Sequence, residues 1–92
     1  MNEVANNGDA HRYEIREDGW LAGIAAYRAG PERIVFTHTE VDPEFGGRGI
    51  GGKLVRASLD DVRAQGLAAE SRCSFVDHFV QKNPQYADLF SA

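Results

Sequence analysis

Five glycines fall within the seven residues from Gly46 to Gly52, at the point where one periodicity stops and another begins. Before them, Arg33 to Val41 is rich in the β-branched and aromatic residues of a strand: Ile34, Val35, Phe36, Thr37, Thr39 and Val41. After them, Ile50, Leu54, Val55, Ala57, Leu59, Val62 and Ala64 form one broad apolar arc on a helical wheel, with Lys53, Arg56, Asp60 and Arg63 opposite. A strand therefore hands over to a helix through a loop almost without side chains. Such a loop exposes backbone N–H groups, and the first helical turn adds unpaired donors and the positive end of its dipole. The junction predicts an anion site suited to phosphate or pyrophosphate, because glycine lets the backbone approach without a Cβ in the way. Arg48 and Lys53 can add charge there, whereas the wheel turns Arg56 toward solvent.

The flanking segments limit what this junction can belong to. Tyr13 and Ile15 alternate with Arg12, Glu14 and Arg16, the period of a half-buried strand over 11–17. Asp18-Gly19 favours the positive dihedrals of a tight hairpin, so the next strand returns antiparallel. Trp20 to Arg28 is mostly apolar on both faces, as in a strand covered on both sides, and Gly23 allows a bulge or a close approach. Ala29-Gly30-Pro31 makes a turn into the third strand, whose alternation puts Ile34, Phe36, His38 and Glu40 on one face. Gly66 stands where a helix C-cap belongs, and Leu67 to Arg72 reads as a parallel return strand completing a βαβ crossover. Ser74 with Asp77 resembles a capping box ahead of a second helix striped by Phe75, Val76, Phe79 and Val80, ending at Asn83-Pro84. Tyr86, Leu89 and Phe90 are apolar enough to pack back. Residues 1–10 hold three asparagines and little to bury, and read as a flexible tail before a single domain over 11–92. The expected class is α+β, in the order β-β-β-α-β-α.

Composition removes several functions. A length of 92 residues leaves room for one small core. The absence of an apolar run near the roughly 20 residues a spanning helix needs, and of a secretory pattern at the start, makes a cytoplasmic protein the expectation, with no membrane partner. Cys73 is alone, so neither a disulfide nor a cysteine-rich metal site forms within one chain. A net charge of −4 argues against a nucleic-acid partner and requires any anion to be held locally.

The loop has three readings. Gly47, Gly49 and Gly52 match the G-x-G-x-x-G spacing of a dinucleotide site, with Glu70 near the end of the next strand, but that fold needs alternating strands and helices this chain cannot supply. The phosphate-cradling G-x-x-x-x-G-K-[ST] pattern fails because Leu54 follows Gly52-Lys53. The glycines could instead serve only a turn and close helix packing. Three antiparallel strands, Val41-Asp42-Pro43, and Gly47-Arg48-Gly49-Ile50-Gly51 opening a helix resemble the cofactor motif of the Gcn5-related N-acetyltransferases. That family's signature runs Gln or Arg, two residues, Gly, one residue, then Gly or Ala. Gly49 and Gly51 satisfy its end, while Gly46 stands in place of the Gln or Arg. Residues 36–41, the glycine loop, Cys73-Ser74-Phe75-Val76 and Asn83-Pro84-Gln85-Tyr86 resemble blocks of its small N-acetyltransferase-domain-containing-1-like branch, a resemblance that covers Tyr13 to Leu89.

The resemblance implies a minimal acyl-CoA N-acyltransferase fold and acetyl-coenzyme A as cofactor. Its pyrophosphate would lie on Gly46, Gly47, Arg48, Gly49, Ile50, Gly51 and Gly52, and its pantetheine arm against the backbone of Thr39 and Val41. The reaction implied is acetyl transfer to an amine acceptor, either a small molecule, a peptide or a protein. Glu40 and His38 are the candidate bases for that amine, and Cys73, at the end of the parallel strand, is a candidate to protonate the departing thiolate or accept the acetyl group. The tyrosine that many members place in the last helix has no counterpart, since the stretch reads Phe79-Val80-Gln81 and Tyr86 lies beyond it. Larger members wall the acceptor site with an N-terminal helix pair and a C-terminal hairpin. Their lack predicts an open groove, a monomer or weak homodimer, and an alternative role as a non-catalytic coenzyme A-binding module.

Overall fold

The computed structural model describes residues 1–90. Five strands form one sheet in the order β1 (Asn2–Asn7), β2 (Arg12–Glu17), β3 (Trp20–Ala29), β4 (Arg33–Val41) and β5 (Ala68–Ser71). The first four are antiparallel neighbours, and β5 runs parallel to β4 after the crossover helix α1 (Ile50–Ala64). A second helix, α2 (Ser74–Lys82), and a 3₁₀ segment (Pro84–Phe90) follow.

Local chemistry accounts for the joints. Asp18 and Gly19 both take positive φ, 49° and 89°, as the β2–β3 hairpin requires. Helix α1 ends in a Schellman motif: Gly66, at φ 72°, donates to the Arg63 carbonyl and Leu67 to the Val62 carbonyl. Both helices lie on the same side of the sheet. The buried Ile50, Leu54, Val55, Leu59 and Val62 of α1 pack on Tyr13, Ile15, Ala25, Tyr27, Ile34 and Phe36. Val76 and Phe79 of α2, with Tyr86 and Leu89, extend this core, so the last segment does pack back. Tyr13 and Tyr86 reach out of it to donate to Asp61 and Asp60, each at 2.7 Å.

Four features differ from expectation. Residues 2–7, read as a tail, are edge strand β1 in register with β2 from Asn2↔Glu17 to Asn7↔Arg12. An edge strand needs a ladder on one side only and tolerates polar residues, and Val4 alone packs on the core. The order is therefore β-β-β-β-α-β-α. Strand β3 is covered by helices on one face only; on the other, Ile24 and Ala26 stay half-buried between charged rows. Helix α2 has Cys73, not Ser74, as its N-cap, with no side-chain capping bond. Finally, β4 bulges at Thr37: Tyr27 pairs with Phe36 but Ala26 with His38. The extra residue reverses the alternation, so Thr39 and Val41 share the helix-covered face with Ile34 and Phe36, while His38 and Glu40 emerge on the open face.

Candidate functional site

The sheet opens where β4 outruns β5. Their pairing ends at Phe36↔Ser71, with Arg72 N–H donating to the Phe36 carbonyl at 2.8 Å. The chain then turns away at Cys73 into α2, leaving residues 37–41 without a parallel neighbour. The Asp42 N–H points the other way, to the Ala22 carbonyl on β3. Because backbone polar groups alternate sides along a strand, Val41 and Thr39 direct theirs into the gap. The gap is a slot bounded by an unpaired strand edge and by the start of α2.

The Thr39 hydroxyl lies 3.4 Å from the Cys73 sulfur, tying the two sides of the slot together. Cys73 is 7% exposed and belongs to the core cluster; its backbone is held by Ser71, whose hydroxyl donates to the Cys73 carbonyl and accepts from the Cys73 N–H. His38 and Glu40 are not beside it. On the open face His38 Nε2 lies 3.6 Å from Glu40 Oε1, with side chains 61% and 68% exposed. The candidate catalytic residues therefore stand on opposite faces of β4, and only the slot connects the two sides.

The glycine loop adjoins the slot. Asp42 caps a 3₁₀ turn, Pro43–Phe45, by accepting from the Glu44 N–H at 3.0 Å, and Gly46 closes it by donating to the Pro43 carbonyl. Gly47 and Gly49 then take φ of 80° and 72°, the left-handed region that only glycine enters cheaply. Gly49 is the N-cap of α1 without a capping side chain, and the first intrahelical bond is Lys53 N–H to the Gly49 carbonyl. The N–H groups of Ile50, Gly51 and Gly52 thus have no helical acceptor, and no acidic residue stands in the first turn to neutralise the dipole. A Cβ at Gly47, Gly49 or Gly52 would meet nothing within 4 Å, so the loop faces open space. Gly51 has a different reason: a Cβ there would lie 2.4 Å from Cζ at the tip of the Phe75 ring, which brings the start of α2 against the start of α1. Arg48 is exposed and stacks over Phe45 at 5.5 Å.

Together these parts can hold an anionic, elongated molecule: loop donors for a phosphate group, a slot with free backbone donors and acceptors for an extended arm, and the Cys73 thiol at its inner end. Sequence reasoning placed the loop, β4 and Cys73 in one neighbourhood, and missed the bulge that separates His38 and Glu40 from Cys73. No helix among the described residues is long and apolar enough to cross a membrane, and no metal-binding cluster occurs among them. The single crossover also removes the dinucleotide reading; Glu70 instead faces Arg33 at 3.2 Å and Arg72 at 3.4 Å.

The chain is similar to known proteins in sequence and in fold. A family described as GCN5-related N-acetyl-transferase matches residues 12–89. Protein NATD1 of Gallus gallus is 37% identical over 84 residues, covering 89% of this chain and 76% of the relative. Protein NATD1 of Mus musculus is 37% identical over 83 residues, covering 88% and 76%. The solution structure of a GCN5-like protein from Staphylococcus aureus superposes with a TM-score of 0.71 at 28% identity, over 96% of this chain and 86% of that one. The ribosomal-protein-S18-alanine N-acetyltransferase of Escherichia coli shares the fold, with a TM-score of 0.60 at 22% identity, over 68% and 41%.

Proposed function

Because the chain belongs to the GCN5-related N-acetyltransferase family and has its fold, we propose that it binds acetyl-coenzyme A across the glycine loop and the β4–β5 slot and transfers the acetyl group to an amine. The observation that carries this is the continuity of the two parts: unspent N–H donors from Ile50 to Gly52 lead, through Gly51 and Phe75, to the slot between Thr39 and Cys73. When bound there, the cofactor supplies a thioester carbonyl as acyl donor.

The protein's own groups supply the rest. The loop N–H groups and the α1 dipole hold the pyrophosphate charge without a basic side chain in the Gly46 position. Backbone groups of Thr39 and Val41 hold the extended arm, and an N–H there stabilises negative charge developing on the acyl oxygen. The amine approaches from the open face, where no helix of the described residues stands. Glu40, with His38 beside it, takes the amine proton, since only the neutral amine is a nucleophile. On the opposite face Cys73 is the proton source nearest the slot, and Thr39 fixes its sulfur. The division of β4 into two faces thus separates proton removal from leaving-group protonation.

A second reading, binding without transfer, draws support from the exposure of Glu40 and His38, whose side chains stand mostly in solvent. Substitution separates the two. Loss of turnover in Glu40→Gln or Cys73→Ala with acetyl-coenzyme A binding retained indicates an enzyme, and no turnover by the wild type with any amine acceptor supports the binding module.

A further inference from the structure

Two shallow cavities meet at the end of β4. One, of about 300 Å³, runs from Gly23 and Ile24 of β3 to Glu40, Val41 and Asp42. The other, of about 350 Å³, lies between Trp20 at the hairpin tip and Glu44 and Phe45 of the 3₁₀ turn. They share Leu21 and Asp42, so a single trough leads from the strand that edges the slot to the β2–β3 hairpin. Its charged lining is of one sign: Glu40, Asp42 and Glu44 line it, and no lysine or arginine does. Neither Asp42 nor Glu44 forms an ion pair among the described residues. Asp42 uses only Oδ1 to accept from the Glu44 N–H. Trp20 lines the same trough with an indole that is 73% exposed. Unpaired carboxylates beside an exposed indole suit an ammonium group, which a ring face attracts and an anion's does not. Arg48 stacks over the Phe45 ring and the N-terminal amine is bonded to Asp18, so neither fills the space.

Resting on the acetyl-coenzyme A reading above, we propose that this trough selects the acceptor, and that the acceptor is a linear alkane diamine: one amine reacts beside Glu40 while the other, still charged, sits among Asp42, Glu44 and Trp20. An alkyl ammonium has a pKa near the roughly 10.4 of lysine, so the second amine stays cationic at neutral pH. Glu40 and Asp42 stand two residues apart on the chain, about 6.6 Å at 3.3 Å per residue, roughly the span of a four- or five-carbon chain. Apolar Ile24 and Leu21 line the stretch between, where methylene groups lie. The reacting nitrogen, made neutral by losing a proton to Glu40, bonds the acetyl carbon as the carbon–sulfur bond breaks. A second proton leaves the nitrogen and one reaches the departing sulfur, giving the mono-N-acetyl diamine and coenzyme A.

Acetylation of putrescine, cadaverine, pentylamine and free lysine by the full chain, followed by mass spectrometry of the products, tests this, with calorimetry of acetyl-coenzyme A binding alongside. Pentylamine lacks the second cation, and lysine is cadaverine with a carboxylate that the acids of the trough repel. The diamines should exceed both in kcat/KM by about tenfold, a ratio suited to one exposed ammonium held by carboxylates and a ring face. In Trp20→Ala/Glu44→Gln that advantage should fall below about threefold, through a raised KM for the diamines, with acetyl-coenzyme A affinity retained; both residues are exposed, so the fold should persist. Pentylamine or lysine used as well as cadaverine, or an advantage unmoved by the double variant, would overturn the diamine assignment. So would acetyl-coenzyme A binding with no turnover of either diamine, or preference for a lysine-containing peptide over both, and each of these leaves the cofactor site standing. Failure to bind acetyl-coenzyme A overturns both readings.

Discussion

Gly23 sits in β3 opposite Val41, and a Cβ built there would lie 2.8 Å from the Glu40 carbonyl oxygen and 3.3 Å from Cγ2 of Ile15. The first contact is 0.6 Å short of the 3.4 Å at which ordinary van der Waals contact begins, and it is made with backbone, which cannot swing aside. Gly23→Ala must therefore push β4 away at Glu40–Val41 or distort the ladder. Overpacking of this kind costs about 1–3 kcal/mol, partly offset by about 0.4–1 kcal/mol from the reduced freedom of the unfolded chain. A net loss of about 1.5 kcal/mol should lower the melting temperature by roughly 6–12 °C in a domain of this size. Thermal unfolding followed by circular dichroism measures it. Gly8→Ala serves as control, since a Cβ there meets nothing within 4 Å and the expected change is within about 0.5 kcal/mol. Because the displaced segment is the strand that lines the slot, acetyl-coenzyme A affinity should fall together with stability. A Gly23→Ala protein as stable as the wild type would show that β3 and β4 are not held at this spacing, and the derivation of the slot would fail with it.

Gly49→Ala places a Cβ at φ 72° in open space, so it should cost about 1–2 kcal/mol of stability, seen in urea unfolding, and weaken acetyl-coenzyme A binding by turning the loop N–H groups; unchanged affinity would show that the loop does not bind the cofactor. Gly51→Ala meets only the tip of the half-exposed Phe75 ring, and should lose less stability than Gly23→Ala. Glu14 is buried, and a hydrogen bond from Arg12 at 2.8 Å, helped by Asn7 and Arg16, holds its carboxyl below the ordinary 4.5. The stability it contributes is present above that ordinary value and is lost as pH falls through its lowered native one, so Glu14→Gln should flatten the acid limb of the stability curve; an acid limb as steep as that of the wild type would contradict this.

The elements legible in the sequence were those set by neighbouring residues. Asp18-Gly19 fixes its own hairpin, Gly66 its own Schellman motif, and the apolar arc from Ile50 to Val62 its own buried side. The glycine loop was legible for the same reason, since a strand and a helix with opposite periods must meet there. What escaped depends on partners distant in sequence. Strand β1 carries one core-packing apolar residue, Val4, and exists through its ladder with β2. The Thr37 bulge adds one residue against Ala26–Tyr27, and nothing in Thr37-His38-Thr39 marks where the alternation reverses. That reversal decides which candidate residues meet: it brings Thr39 to Cys73 and carries His38 and Glu40 to the open face. The apolar stretch from Trp20 to Arg28 suggested a strand covered twice, whereas Trp20 stands 73% exposed at the hairpin tip.

Calorimetric titration of the purified protein with acetyl-coenzyme A, with NADH as control ligand, tests whether the glycine loop and slot form the cofactor site. Micromolar one-to-one binding of acetyl-coenzyme A and none of NADH is the expected result. An absence of acetyl-coenzyme A binding, or equal binding of NADH, would contradict the assignment of the glycine loop and slot as the cofactor site.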